Sequence, residues 1–102
     1  MSNQQPAETP MPMLMLFVTG TAPRSQRARA NLAKMLDQLN LSEVKPFEVD
    51  LLEQPEQGIE HAIFATPSLL KFDTTGEVSV LYGDLSAEER LQTFLSDLDQ
   101  PE

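Results

Sequence analysis

The ten residues around Pro67 constrain the fold of this chain most. Apolar and β-favouring residues stand on both sides of that proline, over 63–72. Proline cannot donate a ladder hydrogen bond inside a strand, so Pro67 predicts the start of a strand over 68–72. Its ring also favours an extended conformation at Thr66. An ordinary trans bond before an edge strand and a cis Thr66–Pro67 bond both remain open at this point.

The first half of the chain reads strand, helix, strand. Met13–Val18 is a continuous apolar run, which suits a central strand that is covered on both faces. Pro23 is acceptable at the first position of the helix that follows. That helix carries apolar residues at near-helical spacing: Ala28, Leu32, Met35, Leu36 and Leu39. Phe47–Leu51 then alternates apolar and acidic residues, which predicts an exterior strand at a sheet edge.

The second half reads helix, strand, strand, helix. Pro55 opens a short helix, for which we predict an inward face of Ile59, Ala62 and Ile63. After the strand at 68–72, a tight turn at 73–76 leads into an alternating run at 77–82, and the two strands predict a β-hairpin. Ser86 with Glu89 predicts a capping box for the last helix. The apolar stripe of that helix is Leu91, Phe94, Leu95 and Leu98.

The predicted order is β-α-β-α-β-β-α, an α/β fold with a four-stranded mixed sheet. The first crossover should be right-handed and make its two strands parallel, with the hairpin antiparallel on the other side. This order is thioredoxin-like, and it favours the cis interpretation of Thr66–Pro67. We predict one domain over residues 12–99. Polar or proline-containing residues at 1–11 and 100–102 predict disordered tails.

The amino-acid composition excludes several kinds of chemistry for this protein. The sequence has no cysteine and one histidine, His61, so thiol chemistry, disulfides and a histidine-based metal cluster are excluded. No catalytic residue, metal or cofactor is expected. The net charge of −9 argues against nucleic acid and anionic membranes as partners. Residues 1–36 nevertheless hold four basic residues against Glu8 alone, which predicts a basic patch for a protein partner, or a solvated helix face.

The hydropathy pattern bears on location. No apolar run approaches the ~18 residues of a membrane span. The apolar segment at 11–18 lacks both a preceding basic residue and a following small-residue cleavage pattern. We therefore expect no membrane association and a cytoplasmic protein.

Four segments together resemble the KaiB family of cyanobacterial clock proteins. They are Leu16-Phe17-Val18-Thr19-Gly20-Thr21-Ala22-Pro23-Arg24-Ser25, Phe47-Glu48-Val49-Asp50-Leu51-Leu52-Glu53-Gln54-Pro55, Phe64-Ala65-Thr66-Pro67-Ser68-Leu69 and Tyr82-Gly83-Asp84-Leu85-Ser86. They stand in the family's order and at its spacing. The resemblance covers about Leu14 to Leu95.

The resemblance implies a non-enzymatic protein with several partners. Family members bind the hexameric ATPase KaiC in a thioredoxin-like state and then capture KaiA or a histidine kinase. Their tetrameric ground state folds the C-terminal half differently. Thr66, Pro67, Gly83 and Asp84 would be the switch positions, and the strand with Phe47, Glu48, Val49 and Asp50 would be the free edge for a KaiA-like partner. Arg24, Arg27 and Arg29 are predicted to contribute to docking.

One departure from the family and two alternatives qualify this interpretation. Where family members have a proline-rich segment, this chain has Asp73-Thr74-Thr75-Gly76-Glu77. Its β-branched residues and glycine favour a hairpin over a helix. We therefore predict a mostly monomeric, thioredoxin-like protein, with the tetrameric fold as the alternative. A cysteine-free glutathione-binding protein, in which the Ser25 hydroxyl stabilises the thiolate, and a purely structural homo-oligomer remain as other functions.

Overall fold

The computed structural model describes residues 13–73 and 75–99. The chain alternates strands and helices in the predicted order. The elements are β1 (Met13–Val18), α1 (Pro23–Gln38), β2 (Phe47–Asp50), α2 (Pro55–Glu60), β3 (Ser68–Phe72), β4 (Val78–Tyr82) and α3 (Glu88–Leu95), and a 3₁₀ turn follows at Ser96–Asp99. The tails predicted at 1–11 and 100–102 lie outside the described residues.

One four-stranded mixed sheet runs in the order β2-β1-β3-β4. β1 pairs with β2 in parallel and with β3 antiparallel, and β3 pairs with β4 antiparallel. The α/β, thioredoxin-like class predicted from the sequence is therefore confirmed, including the exterior position of β2. The strand itself ends at Asp50, because Leu51 already begins the turn into α2.

Helices α1 and α3 cover one face of the sheet. The buried cluster on this face joins β1, β3, α1 and α3, and the sequence stripes of both helices point into it. Its members include Leu14, Leu16, Leu32, Leu36, Leu69, Leu91 and Leu95. Lys71 of β3 also lies on this face at 8% exposure, and its ammonium donates to the Phe94 carbonyl and to the Asp97 carboxylate. One buried cation thus ties the end of α3 to the centre of the sheet.

The other face of the sheet is covered in part by the segment that follows α2. Its cluster holds Phe17, Val49, Ile63 and Leu70, and His61 packs there against the rings of Phe17 and Phe72. The predicted inward face of α2 is wrong for two of its three residues. Ile59 is 75% exposed and Ala62 is exposed, whereas Gly58 is the residue that is buried.

The reason lies in how closely Gly58 packs against the residues before and after α2. A Cβ on Gly58 would sit 3.0 Å from the Ile63 carbonyl oxygen and 3.4 Å from the Leu51 side chain, so any larger residue would crowd that backbone contact. The helix then ends at Glu60, and a positive φ at Ala62 turns the chain so that Ile63 enters the core.

The predicted capping box at Ser86 is also wrong. The residue that caps α3 is Ala87, and it makes no side-chain cap hydrogen bond. The Ser86 backbone N–H donates instead to the Asp84 carboxylate, which holds Ser86 in the preceding turn. The local turn therefore shifts the helix start by one residue relative to the sequence pattern.

Candidate partner-binding surface

The arginines of α1 diverge from one another instead of forming one patch. Arg27 donates to the Asp84 carboxylate at 2.9 Å, and an Arg24 guanidinium nitrogen lies close to Gly83, 3.9 Å from where a Cβ would stand. Arg29 turns the other way and donates to the Glu48 carboxylate of β2. The basic residues thus reach the two segments that the sequence singled out, the Gly83–Asp84 junction on one side and the edge strand on the other.

Three hydrogen bonds hold Asp84 in place. Its carboxylate accepts hydrogen bonds from Arg27 and from the Ser86 backbone, and its carbonyl oxygen accepts one from the Asn31 amide. Arg27 and Ser86, which donate to the carboxylate, favour its ionised form and lower the pKa of Asp84 to about 2, with Arg27 as the largest cause. The junction before α3 is therefore fastened to α1.

A ring of hydrogen bonds frames the outer edge of β2. Arg29 donates to the Glu48 carboxylate at 2.7 and 2.9 Å and to the Gly20 carbonyl oxygen at 3.0 Å. The Gly20 backbone N–H in turn donates to the Asp50 carboxylate, which also accepts from the Leu52 N–H. The hydrogen bond to Glu48 raises the pKa of Arg29. We call this closed set the Arg29 ring, comprising Arg29, Glu48, Asp50 and Gly20.

The four residues of β2 present different groups to solvent. Phe47 is 59% exposed and Glu48 is exposed, while Val49 is 6% exposed and belongs to the core. The Leu51 N–H donates to the Val18 carbonyl on β1, so by alternation the backbone of Val49 also faces β1 and that of Glu48 faces outward. Of the predicted edge residues, Phe47 and Glu48 are therefore accessible, Asp50 holds the loop and Val49 is core.

An apolar groove runs beside this edge, between α1 and β2. Its volume is about 460 Å³, within the range of ligand-sized clefts. The buried Leu16 and Leu32 lie beneath it, and its lining includes the charged side chains of Arg29, Asp37, Lys45 and Glu48. The full lining is Leu16, Arg29, Leu32, Ala33, Leu36, Asp37, Ser42, Val44, Lys45, Pro46 and Glu48. The sequence stripe of α1 indicated an apolar face but gave no sign that part of it stays uncovered.

The end of the sheet near Pro67 is closed by hydroxyl groups. The Thr66–Pro67 peptide bond is cis, and the Thr66 and Thr19 hydroxyls are hydrogen-bonded at 2.5 Å. Ser25 is 1% exposed, and its hydroxyl accepts the Thr19 backbone N–H. A hydroxyl that is 1% exposed is poorly placed to reach a bound thiolate, which weighs against the glutathione alternative.

Across residues 13–73 and 75–99, no group of three or more histidine and acidic side chains could hold a metal ion. No helix in those ranges has the length and apolarity that a membrane crossing requires.

Comparisons with known proteins match this chain to one family. The KaiB domain model matches residues 15–96. The chain is 32% identical over 79 residues to the circadian clock protein KaiB3 of Synechocystis sp., covering 78% of this chain and 76% of that one. It is 37% identical over 79 residues to the circadian clock oscillator protein KaiB of Synechococcus sp. strain RCC307, covering 78% and 71%.

Solved structures support the fold. The N-terminal domain of Synechococcus elongatus SasA is similar with a TM-score of 0.71 and 23% identity, over all of this chain and 96% of that one. A thioredoxin from Malassezia sympodialis is similar with a TM-score of 0.70 and 19% identity, over 87% and 76%.

Proposed function

Because this chain belongs to the KaiB family of clock proteins, we propose that it acts without catalysis, by binding a KaiC-type ATPase. The observation that carries the proposal is the KaiB match over residues 15–96, which runs from within β1 to the end of α3. A KaiC-type ATPase needs a supply of ATP, which the cytoplasm provides. We therefore propose the cytoplasm as the place of action.

We assign the β2 edge to a second partner, a KaiA-like protein or a histidine kinase. Three features support this surface: the outward backbone of Glu48, the exposed Phe47 ring and the apolar groove on the α1 side. An added strand would gain main-chain hydrogen bonds from the edge and side-chain contacts on both of its faces. The Arg29 ring supports this edge by bonding Glu48 to α1 and Asp50 to the Gly20 loop.

Arg24 and Arg27 are proposed to steer the encounter with the ATPase. Both side chains belong to exposed residues of the first turns of α1 on an otherwise acidic chain. Such charges change the association rate and its salt dependence more than the final affinity. Replacing both arginines with glutamate should slow association and flatten its salt dependence, as measured by stopped flow, while unchanged kinetics would make the two residues an ordinary solvated face.

The proposed function is tested by titrating the chain against a KaiC-type hexamer in the presence and absence of ATP. We expect saturable binding that depends on the nucleotide. Glutathione, titrated in parallel by NMR, should produce no saturable shift around Pro67. Binding of glutathione together with no binding to the hexamer would overturn the proposal.

The β2 assignment has its own matched pair of variants. Phe47→Ala removes the exposed ring on the edge strand, and Phe64→Ala removes a ring that is 79% exposed and lies outside that strand. We expect Phe47→Ala to weaken binding of the KaiA-like protein or kinase about tenfold or more, as for an interface anchor. Equal effects of the two variants would move the site away from β2.

A further inference from the structure

The opposite edge of the sheet, β4, carries no charge at all. Its residues are Val78-Ser79-Val80-Leu81-Tyr82, a run of β-branched, aliphatic and aromatic side chains around one serine. Val78 is 48% exposed and Tyr82 is 56% exposed. Natural sheet edges are usually protected by charge, proline or a covering element, and within the described residues β4 has none of these.

The backbone groups that β4 leaves unpaired follow from two loop hydrogen bonds. The Gly83 N–H donates to the Pro67 carbonyl, and the Glu77 carbonyl accepts from the Asp73 N–H. Both bonds therefore point toward the β3 side of the strand. By alternation, the backbones of Ser79 and Leu81 face β3 as well. Those of Val78, Val80 and Tyr82 face outward.

This outward row is complementary to itself. If a second copy approaches antiparallel with the two-fold axis at Val80, each Val80 pairs with its counterpart and each Val78 pairs with the other copy's Tyr82. All three outward residues then find partners at once, and shifting the register by one pair leaves one of them unpaired. Cross-strand pairs of an aromatic and a β-branched residue are favourable, and the two exposed side chains of β4 become neighbours on the same face.

The α3 side of the strand also fits a second copy. A groove of about 370 Å³ lies beside Leu81, and its walls include Phe94 and the adjacent, oppositely charged Glu89 and Arg90. Two-fold symmetry brings each surface to the same surface of the copy, so a patch with both signs meets both signs. Within strand β2, by contrast, the two residues whose backbones face outward are Glu48 and Asp50, and antiparallel pairing would set these acids against the same acids of the copy.

We propose that β4 is a self-association edge, through which two copies join their sheets into one continuous sheet across a two-fold axis at Val80. Each protomer keeps its thioredoxin-like fold, so this dimer differs from the tetramer of the alternative family fold. It modifies the prediction of a mostly monomeric protein toward a monomer–dimer equilibrium. The β2 edge stays open in both states, so the proposed partner site and the self-association edge are separate.

The test is light scattering of the full chain across a wide range of concentrations. We expect the molar mass to rise with concentration from 11.4 kDa toward twice that value. In the double variant Val78→Lys with Tyr82→Lys, like charges face each other in every outer pair, and self-association should weaken about tenfold or more. Val78→Lys with Tyr82→Glu substitutes the same two positions but places opposite charges in those pairs, and it should restore the dimer.

A control pair and a second measurement complete the design. Leu52→Lys with Ile59→Lys exchanges two exposed apolar residues outside β4 and should leave the dimer intact. Amide exchange in the wild type should slow with concentration at Val78, Val80 and Tyr82 but not at Ser79 or Leu81. A mass that stays monomeric at every concentration, a restoring variant no better than the doubly lysine one, or a control as damaging as that variant would each overturn the proposal.

Discussion

The two edges of the sheet differ in their charge and in the hydrogen bonds that hold their side chains. β2 has four residues, two of them acidic, and the Arg29 ring holds those two acidic side chains. β4 has five uncharged residues, and its outward backbone has no such frame. An edge that carries fixed charge selects partners of the opposite charge and repels its own copy, whereas an apolar edge accepts any well-matched strand. The same sheet can therefore keep two kinds of contact apart.

Lys71 offers the test with the largest expected effect, because it holds α3 behind the β4 edge and has no counterpart in the Arg29 ring at β2. Its ammonium lies 2.8 Å from an Asp97 carboxylate oxygen and 4.6 Å from the centre of the Phe94 ring. We expect Lys71→Ala to lower the free energy of unfolding by about 2–3 kcal/mol, since it removes charged hydrogen bonds and a buried stem. Urea denaturation measures the loss.

The control for Lys71 is Lys45→Ala. Lys45 is exposed and donates only to the Ser42 carbonyl, so its removal should change the free energy of unfolding by no more than about 0.5 kcal/mol. Amide exchange should also accelerate in α3 and β4 of the Lys71 variant while β2 stays protected. Equal losses for the two lysines would show that Lys71 is not an anchor.

The hairpin turn between β3 and β4 offers a second test of the β4 edge. Gly76 has a φ of +88°, and Asp73 accepts hydrogen bonds from Thr75 and from the Glu77 N–H in the same turn. A Cβ at that φ is strained, so Gly76→Ala should cost about 1–2 kcal/mol of stability even though the space around it is open. Gly76→Asn should cost clearly less, because asparagine tolerates positive φ. Indistinguishable unfolding curves for the two variants would contradict this account.

Arg29 allows the same kind of test at the β2 edge. Arg29→Ala opens the Arg29 ring and should lower the free energy of unfolding by about 1 kcal/mol, as the bonds lie near the surface. The more telling result is amide exchange, which should accelerate at Leu51, whose N–H pairs with β1, and leave Leu81 unchanged. Arg90→Ala, an exposed arginine on α3, is the matched control and should affect neither amide.

The smallest effect concerns the Arg27–Asp84 contact and acid. The pKa of Asp84 is lowered in the folded protein from 3.8 to about 2, so the folded state favours its ionised form. The stabilising contribution is therefore complete above about pH 4 and is lost as pH falls toward 2. The stability difference between the wild type and Asp84→Asn should shrink over that window in acid titrations followed by circular dichroism. A difference that stays constant would mean that Asp84 is not the titrating group.

Most of the fold could be predicted because its signals are local. The continuous run of β1, the alternation of β2 and the stripe of α3 each fix an element and its buried face, and Pro67 fixes where β3 begins. The errors arose where tertiary contacts override local pattern. Ile59 continues a helical stripe but points to solvent, because Gly58 is the residue that packs against Leu51 and the Ile63 carbonyl.

The candidate surface was harder to predict than the fold. The sequence identified the arginines and the edge strand, but not that they are joined, since Arg27 and Asp84 are 57 residues apart and Arg29 and Glu48 are 19 apart. Pairings of that kind are decided by how α1 lies across the sheet. The uncovered groove depends on the loop at 42–46 and has no local signature.

The Arg29 ring also bears on the kinetics of recognition. It fixes both acidic side chains of β2 and the loop at Gly20 before any partner arrives. A partner strand that pairs with this edge therefore orders only itself, and the entropy lost on binding falls mainly on the incoming chain. The edge is a rigid template. Its affinity should depend on how pre-organised the partner is, so a cyclised or otherwise constrained strand should bind more tightly than the same sequence as a free linear peptide.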